Sequence, residues 1–219
     1  MALWLPIIAL AFVCEFVDSS LGMGYGTTLT PVLLILGYEP LQIVPAILFS
    51  EFVTGFAAAL SHHRIGNVDL RPGTHAFKVA GVLGLCSALG VASAVVLALS
   101  LPQAVVKLYV GGLVLVMGVT ILVTMFRRQS PAFSWKKIVG LGLLAAFNKG
   151  ISGGGYGPVV TGGQMLSGVD SKNAIGICSL AEGVTSAVGV LAYLIAGGEV
   201  DWVLLPSLVL GAMLSTPLA

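Results

Sequence analysis

Two short glycine-rich segments carry the residues best suited to chemistry in this sequence. They are Gly22-Met23-Gly24-Tyr25-Gly26 and Gly153-Gly154-Gly155-Tyr156-Gly157. Each segment opens a short helix, and a helix N-terminus presents unpaired N–H groups and the positive end of the helix dipole. Glycine also lets the backbone approach a ligand closely and adopt positive φ. Two such helix ends that meet would bind one small anion.

Polar residues beside the two segments complete the candidate anion site. Hydroxyl and amide groups would donate hydrogen bonds, one lysine would neutralise part of the charge, and the two tyrosines would shape or gate the pocket. The competing interpretation is that the glycines only allow close helix packing. The candidate substrate-binding residues are Gly22, Gly24, Tyr25, Gly26, Thr27, Thr28, Asn148, Lys149, Ser152, Gly153, Gly155, Tyr156 and Gly157.

The composition places these residues in an integral membrane protein. Only 9% of the 219 residues are charged, against roughly 25% in an ordinary soluble domain. Hydrophobic residues make up 57%, and the mean hydropathy is +1.04. These values argue against a soluble enzyme and against disorder, and a net charge of +1 argues against a nucleic-acid partner. A spanning helix needs about 20 apolar residues, so the length allows roughly seven to nine membrane elements.

Five ionisable residues lie inside the apolar runs: Glu15, Asp18, Glu51, Lys149 and Glu182. Because ionisable groups within a membrane are costly and usually functional, Asp18, Glu51 and Glu182 are candidates for exchanging a proton during transport. The structural alternative for the two glutamates is a protonated carboxyl that hydrogen-bonds to a glycine-loop carbonyl. Lys149 would either pair with Asp18 or stay free to attract the anion.

A self-comparison indicates that the two glycine segments belong to an internal duplication. The shift in numbering that places Gly22 on Gly153, which we call the repeat offset, aligns 16–66 with 147–197 without a gap and gives 12 identities in 51 positions. Chance similarity between two glycine-rich segments does not explain a matched Glu-x-Val-Thr inside two apolar helices. The other matched pairs include Tyr25 with Tyr156 and Glu51 with Glu182.

The duplication predicts two transmembrane repeats, residues 1–125 and residues 126–219. The first repeat ends at about position 125. The position equivalent to it under the repeat offset lies well beyond Ala219, the last residue of the sequence. We therefore expect the second repeat to be incomplete at its C-terminus.

The charges of the loops predict how the repeats are oriented. Loops 62–78 and 126–137 are basic and are separated by two spans, so the positive-inside rule places both in the cytoplasm. Loop 197–201 carries Glu199 and Asp201 and should lie outside, although it is the repeat equivalent of the start of loop 62–78. The predicted fold is therefore an all-α membrane protein with two inverted repeats, each a glycine-broken re-entrant helical hairpin plus transmembrane helices. The alternative is one broken crossing per glycine segment, which gives parallel repeats.

Other residue types indicate no second site. His62, His63 and His75 lie in a basic stretch without a carboxylate or thiol pattern, so a solvated loop is expected rather than a metal site. No nucleophile–base motif such as Gly-x-Ser-x-Gly occurs, so the sequence favours a protein that is not an enzyme and needs no metal or cofactor. Three cysteines lie singly in apolar runs and are expected to be buried packing residues: Cys14, Cys86 and Cys178.

The two polar segments resemble those of the TauE/SafE family of anion permeases. The resemblance rests on Asp18-Ser-Ser-Leu-Gly-Met-Gly-Tyr-Gly-Thr with Pro31 and Gly37, and on Asn148-Lys-Gly-Ile-Ser-Gly-Gly-Gly-Tyr-Gly-Pro, and it covers nearly the whole chain. It implies a secondary transporter, most often an exporter, of sulfite, sulfoacetate or other organosulfonates, with the proton gradient as the driver.

The resemblance also sets the expected location and partners. It implies a multi-pass protein of the bacterial inner membrane that binds a small anionic substrate and the lipid bilayer, with no nucleic-acid partner; a homo-oligomer stays open. Three alternatives remain at this point. They are an uncoupled anion channel, an uptake permease for another small organic anion, and a membrane assembly module that moves nothing.

Overall fold

The computed structural model describes residues 4–125 and 133–219. Over these ranges the chain forms α-helices joined by short connections, with no strand, which confirms the all-α prediction. The helices are α1 (Trp4–Leu21), α2 (Tyr25–Ile35), α3 (Pro40–Arg64), α4 (His75–Ser100), α5 (Gln103–Met125), α6 (Trp135–Ser152), α7 (Tyr156–Leu166), α8 (Ser171–Ile195) and α9 (Leu204–Ser215), followed by a 3₁₀ turn (Thr216–Leu218).

Five of these helices are long and apolar enough to cross a membrane: α1, α3, α4, α5 as far as Val123, and α8. Large hydrophobic side chains such as Leu85, Leu108 and Ile195 are exposed on the outside of the helices. An apolar outer surface of this extent needs lipid around it. The three cysteines are buried and free, as expected.

The repeat offset relates the helix boundaries as well as the sequence. Applied to the bounds of α1, α2 and α3, it yields the bounds of α6, α7 and α8. Four glycines with positive φ in the first half also have counterparts with positive φ at this offset. These pairs are Gly22 and Gly153, Gly24 and Gly155, Gly37 and Gly168, and Gly66 and Gly197. The local backbone geometry of the first half therefore recurs in the second.

Helices α3 and α8 pack side by side and run in opposite directions. Small residues on both helices allow the close approach. Residues early in α3 contact residues late in α8, and residues late in α3 contact residues early in α8. The contacts run from Leu48 with Gly189, through Gly55 with Gly183, to His62 with Gly176.

The loops at the two ends of α3 differ in their balance of charge. At its start, Gln42 Nε2 donates a hydrogen bond to Asp201 Oδ2 at 3.1 Å, which places the acidic loop 197–201 at this end. We call this the acidic end. At the other end lie Arg64 and the start of α8 with Lys172, and we call this the basic end. Because α3 has 25 residues, the two ends are about 37 Å apart along the helix.

The first glycine break turns the chain back along α3. His62 Nε2, near the end of α3, lies 2.9 Å from the Ser19 carbonyl oxygen, near the end of α1. Tyr25 Oη, at the start of α2, lies 2.9 Å from Ser50 Oγ in the middle of α3. Since α2 ends shortly before α3 begins, α2 runs from the middle of α3 back toward its start.

The prediction of a solvated loop is wrong for His62. Helix α3 continues beyond its apolar run to Arg64, so His62 lies on a helix rather than in a loop. Its side chain faces Gly176 of α8 and is 6% exposed. His63 is half-buried and His75 is exposed.

Candidate functional site

The two glycine breaks cross each other in direct contact. A Cβ on Gly26 would overlap the Gly153 carbonyl oxygen, and a Cβ on Gly157 would lie 2.5 Å from the Gly22 carbonyl oxygen. The two contacts are related by the repeat offset, so the crossing is reciprocal. No side chain fits at Gly26 or Gly157, because the neighbouring atoms belong to the backbone and cannot move aside.

Hydroxyl groups tie each break to the opposite half of the molecule. Thr30 Oγ1 donates to the Ser152 carbonyl oxygen at 2.9 Å, and Thr161 Oγ1 donates to the Gly22 carbonyl oxygen at 2.7 Å. The two threonines were not among the predicted site residues, although the repeat offset pairs them as identical residues. That identity was the signal that could have identified them.

The predicted hydroxyl and amide residues occupy different places around the crossing. Thr27 Oγ1 accepts a hydrogen bond from Gly155 N at 3.0 Å, and Ser152 Oγ donates to the Asn148 carbonyl oxygen at 2.8 Å. Thr28 is exposed, whereas every other predicted site residue is buried or half-buried. Thr28 is therefore the predicted site residue that the structure leaves at the surface.

Lys149 is completely buried and bridges two carboxylates. Its Nζ donates to Glu51 Oε2 at 2.5 Å and to Glu182 Oε1 at 2.7 Å. Glu51 and Glu182 are 3% and 5% exposed and are equivalent under the repeat offset. The Nζ also lies 5.7 Å from the centroid of the Tyr156 ring, at the start of α7. Charged side chains from α3, α6 and α8 thus meet beside the second glycine break.

Both predictions for Lys149, a pair with Asp18 or a free side chain, are wrong. Lys149 is not free, and its carboxylate partners are Glu51 and Glu182 rather than Asp18. Asp18 Oδ1 instead accepts a hydrogen bond from Tyr25 N at 3.0 Å and so satisfies one of the unpaired N–H groups at the start of α2. The physical reason is that the packing of α3 on α8 brings the carboxyls of Glu51 and Glu182 to the ammonium group, whereas the carboxyl of Asp18 binds the start of α2.

The tyrosines of the two breaks are packed inside the molecule. Tyr25 and Tyr156 are 0% and 1% exposed, and Tyr25 Oη contacts Ser50 Oγ. A different tyrosine, Tyr109 of α5, donates a hydrogen bond to Asn148 Oδ1. Tyr109 was missed because its place beside the break depends on how α5 packs, which no pattern in the sequence indicates.

A cavity of about 550 Å³ lies between α5, α6 and α7 beside the crossing. Its lining is mainly apolar and includes Met23 of the first break, Asn148 and Pro158. The lining reaches Pro158 in the first turn of α7 but includes none of Glu51, Lys149 and Glu182, so the cavity lies beside α7 and Asn148 and does not open onto these three charged residues.

Comparisons with known proteins agree with this picture of a membrane protein. A family profile described as Sulfite exporter TauE/SafE matches residues 7–219. A curated relative is described as "Probable membrane transporter protein YtnM", from Bacillus subtilis (strain 168). It is 30% identical over an alignment 227 residues long, which covers 97% of this chain and 73% of the relative. No solved structure matches. The matched range includes both glycine breaks and the three residues Glu51, Lys149 and Glu182, which we call the ion cluster.

Proposed function

Because the chain belongs to the sulfite exporter TauE/SafE family of membrane transporters, we propose that it exports small sulfur-containing anions, such as sulfite, sulfoacetate or other organosulfonates, together with a coupled movement of protons. The membrane concerned would be the cell inner membrane. The observation that carries the proposal is the buried Lys149, held between Glu51 and Glu182 beside the crossed glycine breaks.

The anion would bind at the start of α7. At the equivalent start of α2, the Asp18 carboxylate already accepts a hydrogen bond from the backbone N–H of Tyr25. The repeat equivalent of Asp18 is Lys149, which carries the opposite charge. The start of α7 therefore combines a helix N-terminus with a cation that Glu51 and Glu182 already pair with, and it carries no carboxylate at the position equivalent to Asp18. An external anion would be favoured there in place of one of these two carboxylates. Asn148 and the cavity of about 550 Å³ would form the approach to this position.

Proton coupling would follow from competition for Lys149. Lys149 Nζ can donate three hydrogen bonds and already donates two of them, to Glu51 and Glu182. Because these two carboxylates already offset the charge of the ammonium group, an arriving anion would take the place of one of them rather than add a third negative charge. A displaced, ionised carboxylate that stays buried without a partner is costly by several kcal/mol. The displaced carboxylate would therefore take up a proton from water where the anion binds and release it where the anion leaves, so anion and proton would cross the membrane in the same direction and export of the anion would carry a proton outward.

The architecture would be a pair of inverted repeats with re-entrant hairpins. The antiparallel packing of α3 on α8 supports this, since these helices are repeat equivalents and would cross the membrane in opposite directions. The return of α2 toward the start of α3 supports a hairpin in the first repeat. The two breaks would then meet within the membrane, where non-helical backbone is tolerated if it lines a cavity or is buried in protein.

Flux measurements in proteoliposomes test the proposal. Purified protein is reconstituted, and the movement of sulfite and of sulfoacetate is followed with and without an imposed pH gradient, using protein-free liposomes as the control. We expect the anion to accumulate on the alkaline side, against its concentration gradient, when the pH gradient is present. Flux that only ever runs downhill would indicate an uncoupled channel, and the absence of flux for every sulfur-containing anion would contradict the proposed substrate class.

A further inference from the structure

The cavity between α5, α6 and α7 extends from the glycine breaks toward the basic end. Its lining begins at Met23 of the first break and Asn148 on α6, and from there it follows α6 back to Leu141 and α7 forward to Leu166. Leu166 closely precedes the start of α8, which lies at the basic end. Along the axis of α6, Leu141 and Asn148 are about 10 Å apart. The cavity is therefore elongated, with one end at the breaks.

The size and the lining of the cavity fit a ligand larger than sulfite. Its volume of about 550 Å³ lies within the range of roughly 300–1,000 Å³ that is typical of pockets for small organic molecules. Sulfite consists of one sulfur and three oxygen atoms and has no apolar surface, so it would leave most of this space and the apolar lining unused. An apolar group of several carbon atoms would leave water on entering the cavity, and that transfer favours binding.

Methionines give the cavity a surface that can adapt to different apolar chains. Met23 of the first break, Met117 of α5 and Met165 of α7 all line it, and together they are half of the six methionines in the sequence. Methionine is flexible and polarizable, and surfaces rich in it accept apolar ligands of varying shape. Gly162 of α7 adds open space to the lining, because a Cβ at this position would have no neighbour within 4 Å.

Asn148 supplies a polar group at the end of the cavity that adjoins the breaks. Its side chain is 4% exposed, and its Oδ1 accepts a hydrogen bond from Tyr109. Its Nδ2 can donate two hydrogen bonds, and within the described part of the chain no group accepts one from it. Thr120 also lines the cavity, but its Oγ1 already donates to the Val116 carbonyl oxygen at 2.7 Å. An anionic group in the cavity would therefore bind at the Asn148 end, beside the start of α7.

We propose, building on the transport function proposed above, that the preferred substrates are organosulfonates with an apolar chain of several carbon atoms. The sulfonate group accepts a hydrogen bond from Asn148 Nδ2 beside the start of α7, and the apolar chain extends through the cavity toward the basic end. Lys149 follows Asn148 outside the cavity, so the apolar chain adds affinity without contacting the ion cluster. Sulfite and sulfoacetate lack such a chain, use the anion contacts alone and bind less tightly.

A series of sulfonates with different chain lengths tests the proposal on the native protein. Binding of ethanesulfonate, butanesulfonate and hexanesulfonate is measured by equilibrium dialysis, with the same detergent micelles on both sides so that partition into detergent cancels. We expect the dissociation constant to fall about fourfold for each added methylene, because each methylene leaves water for the cavity. Hexanol, which has the apolar chain without the anion, should bind at least about tenfold more weakly than hexanesulfonate.

Variants of three lining and control positions separate the apolar chain from the anionic group. Gly162→Leu fills part of the cavity and should reduce the gain for each methylene to about twofold or less. Gly111→Leu is the matched control, because Gly111 also has open space at its Cβ but does not line the cavity, and it should keep the native gain. Asn148→Leu should weaken all three sulfonates by at least about tenfold and keep the gain for each methylene.

Three results would overturn the inference. They are equal dissociation constants for the three sulfonates, hexanol that binds as tightly as hexanesulfonate, and an undiminished gain for each methylene in Gly162→Leu. The second result would indicate a purely apolar pocket, such as a site for a lipid acyl chain. The series on the native protein needs no variant, so it decides even if Gly162→Leu does not fold. Flux of sulfoacetate together with equal dissociation constants overturns this inference alone, whereas a lack of flux for every sulfur-containing anion contradicts the transport function and leaves the binding series to decide on the cavity.

Discussion

Lys149 Nζ donates a hydrogen bond to Glu51 Oε2 at 2.5 Å, although the two residues are 98 positions apart in the sequence. Glu182, the repeat equivalent of Glu51, binds the same ammonium group at 2.7 Å. Each half of the molecule thus contributes one carboxylate to a single buried lysine. If both carboxylates are ionised, the cluster carries one net negative charge, so an incoming anion must compete with groups that are already in place.

The first prediction concerns the stability of this cluster. Glu51→Gln or Glu182→Gln alone leaves Lys149 with one carboxylate, so each should lower the free energy of unfolding only modestly. The double variant leaves the ammonium group buried without a negative partner and should lower it by about 3–5 kcal/mol, more than the sum of the single changes. Thermal unfolding in detergent measures these differences.

An exposed ion pair provides the matched control for that series. Lys107 Nζ lies 2.9 Å from Glu39 Oε2, with both side chains more than two-fifths exposed. Glu39→Gln should change the free energy of unfolding by less than about 1 kcal/mol, because solvent weakens such pairs. Strict additivity of Glu51→Gln and Glu182→Gln would show that the two carboxylates do not share Lys149.

The second prediction concerns anion binding. Lys149→Met removes the charge but keeps an apolar stem of similar length, and the two remaining carboxyls can share a proton. The variant should fold but lose the stabilisation that sulfite or sulfoacetate gives to the native protein by mass action. Melting temperatures measured over a series of anion concentrations test this, with Lys107→Met as the control that should keep the full shift. A native shift in Lys149→Met would place the anion elsewhere.

The third prediction concerns the crossing of the two glycine breaks. Gly26→Ala would drive a Cβ into the backbone oxygen of Gly153, so we expect a loss of about 3 kcal/mol or more, or no folded protein. Gly157→Ala should behave similarly. Gly111→Ala is the control, because its Cβ would have no neighbour within 4 Å and alanine favours a helix by up to about 1 kcal/mol. Equal yields and melting temperatures for all three variants would contradict the crossing.

The fourth prediction concerns membrane orientation. Single cysteines at Asp69 and Glu199 should react with a membrane-impermeant thiol reagent from opposite sides, Asp69→Cys from the cytoplasm and Glu199→Cys from outside. The native cysteines are buried, so their background labelling should be low. Cytoplasmic labelling of both positions would rule out inverted repeats and favour the parallel arrangement.

Much of the fold could be predicted because apolar runs and glycine patterns are local signals. The breaks were expected at Gly22–Gly26 and Gly153–Gly157, and the structure narrows the non-helical part to three residues in each, so that Tyr25 and Tyr156 already begin helices. The repeat offset also indicated the shared helix boundaries. A local pattern does not show where a helix ends when the helix continues from apolar into polar residues. For that reason His62 was predicted to lie in a solvated loop, whereas it lies on α3.

The composition of the ion cluster depends on tertiary packing and was out of reach of the sequence. Lys149 and Asp18 are equivalent positions, and that equivalence suggested a pair. In the structure, the residues that reach Lys149 are Glu51 and Glu182, because α3 and α8 pack closely enough to bring two equivalent side chains to one point. Which of the four carboxyls inside the apolar runs meets the lysine depends on this geometry rather than on the charge or spacing of the residues.

Proton uptake on anion binding tests the central claim most directly. Sulfoacetate, which is fully ionised near neutral pH and does not itself exchange protons there, is added to purified protein in a weakly buffered detergent solution, and the change in pH is recorded with an indicator dye, alongside Lys149→Met as a non-binding control. If the anion displaces a carboxylate from Lys149, binding should remove about one proton per bound anion from solution, because an unpaired buried carboxylate is too costly to stay ionised. Saturable binding of sulfoacetate to the native protein without any proton uptake would contradict the exchange of Glu51 or Glu182 for the anion.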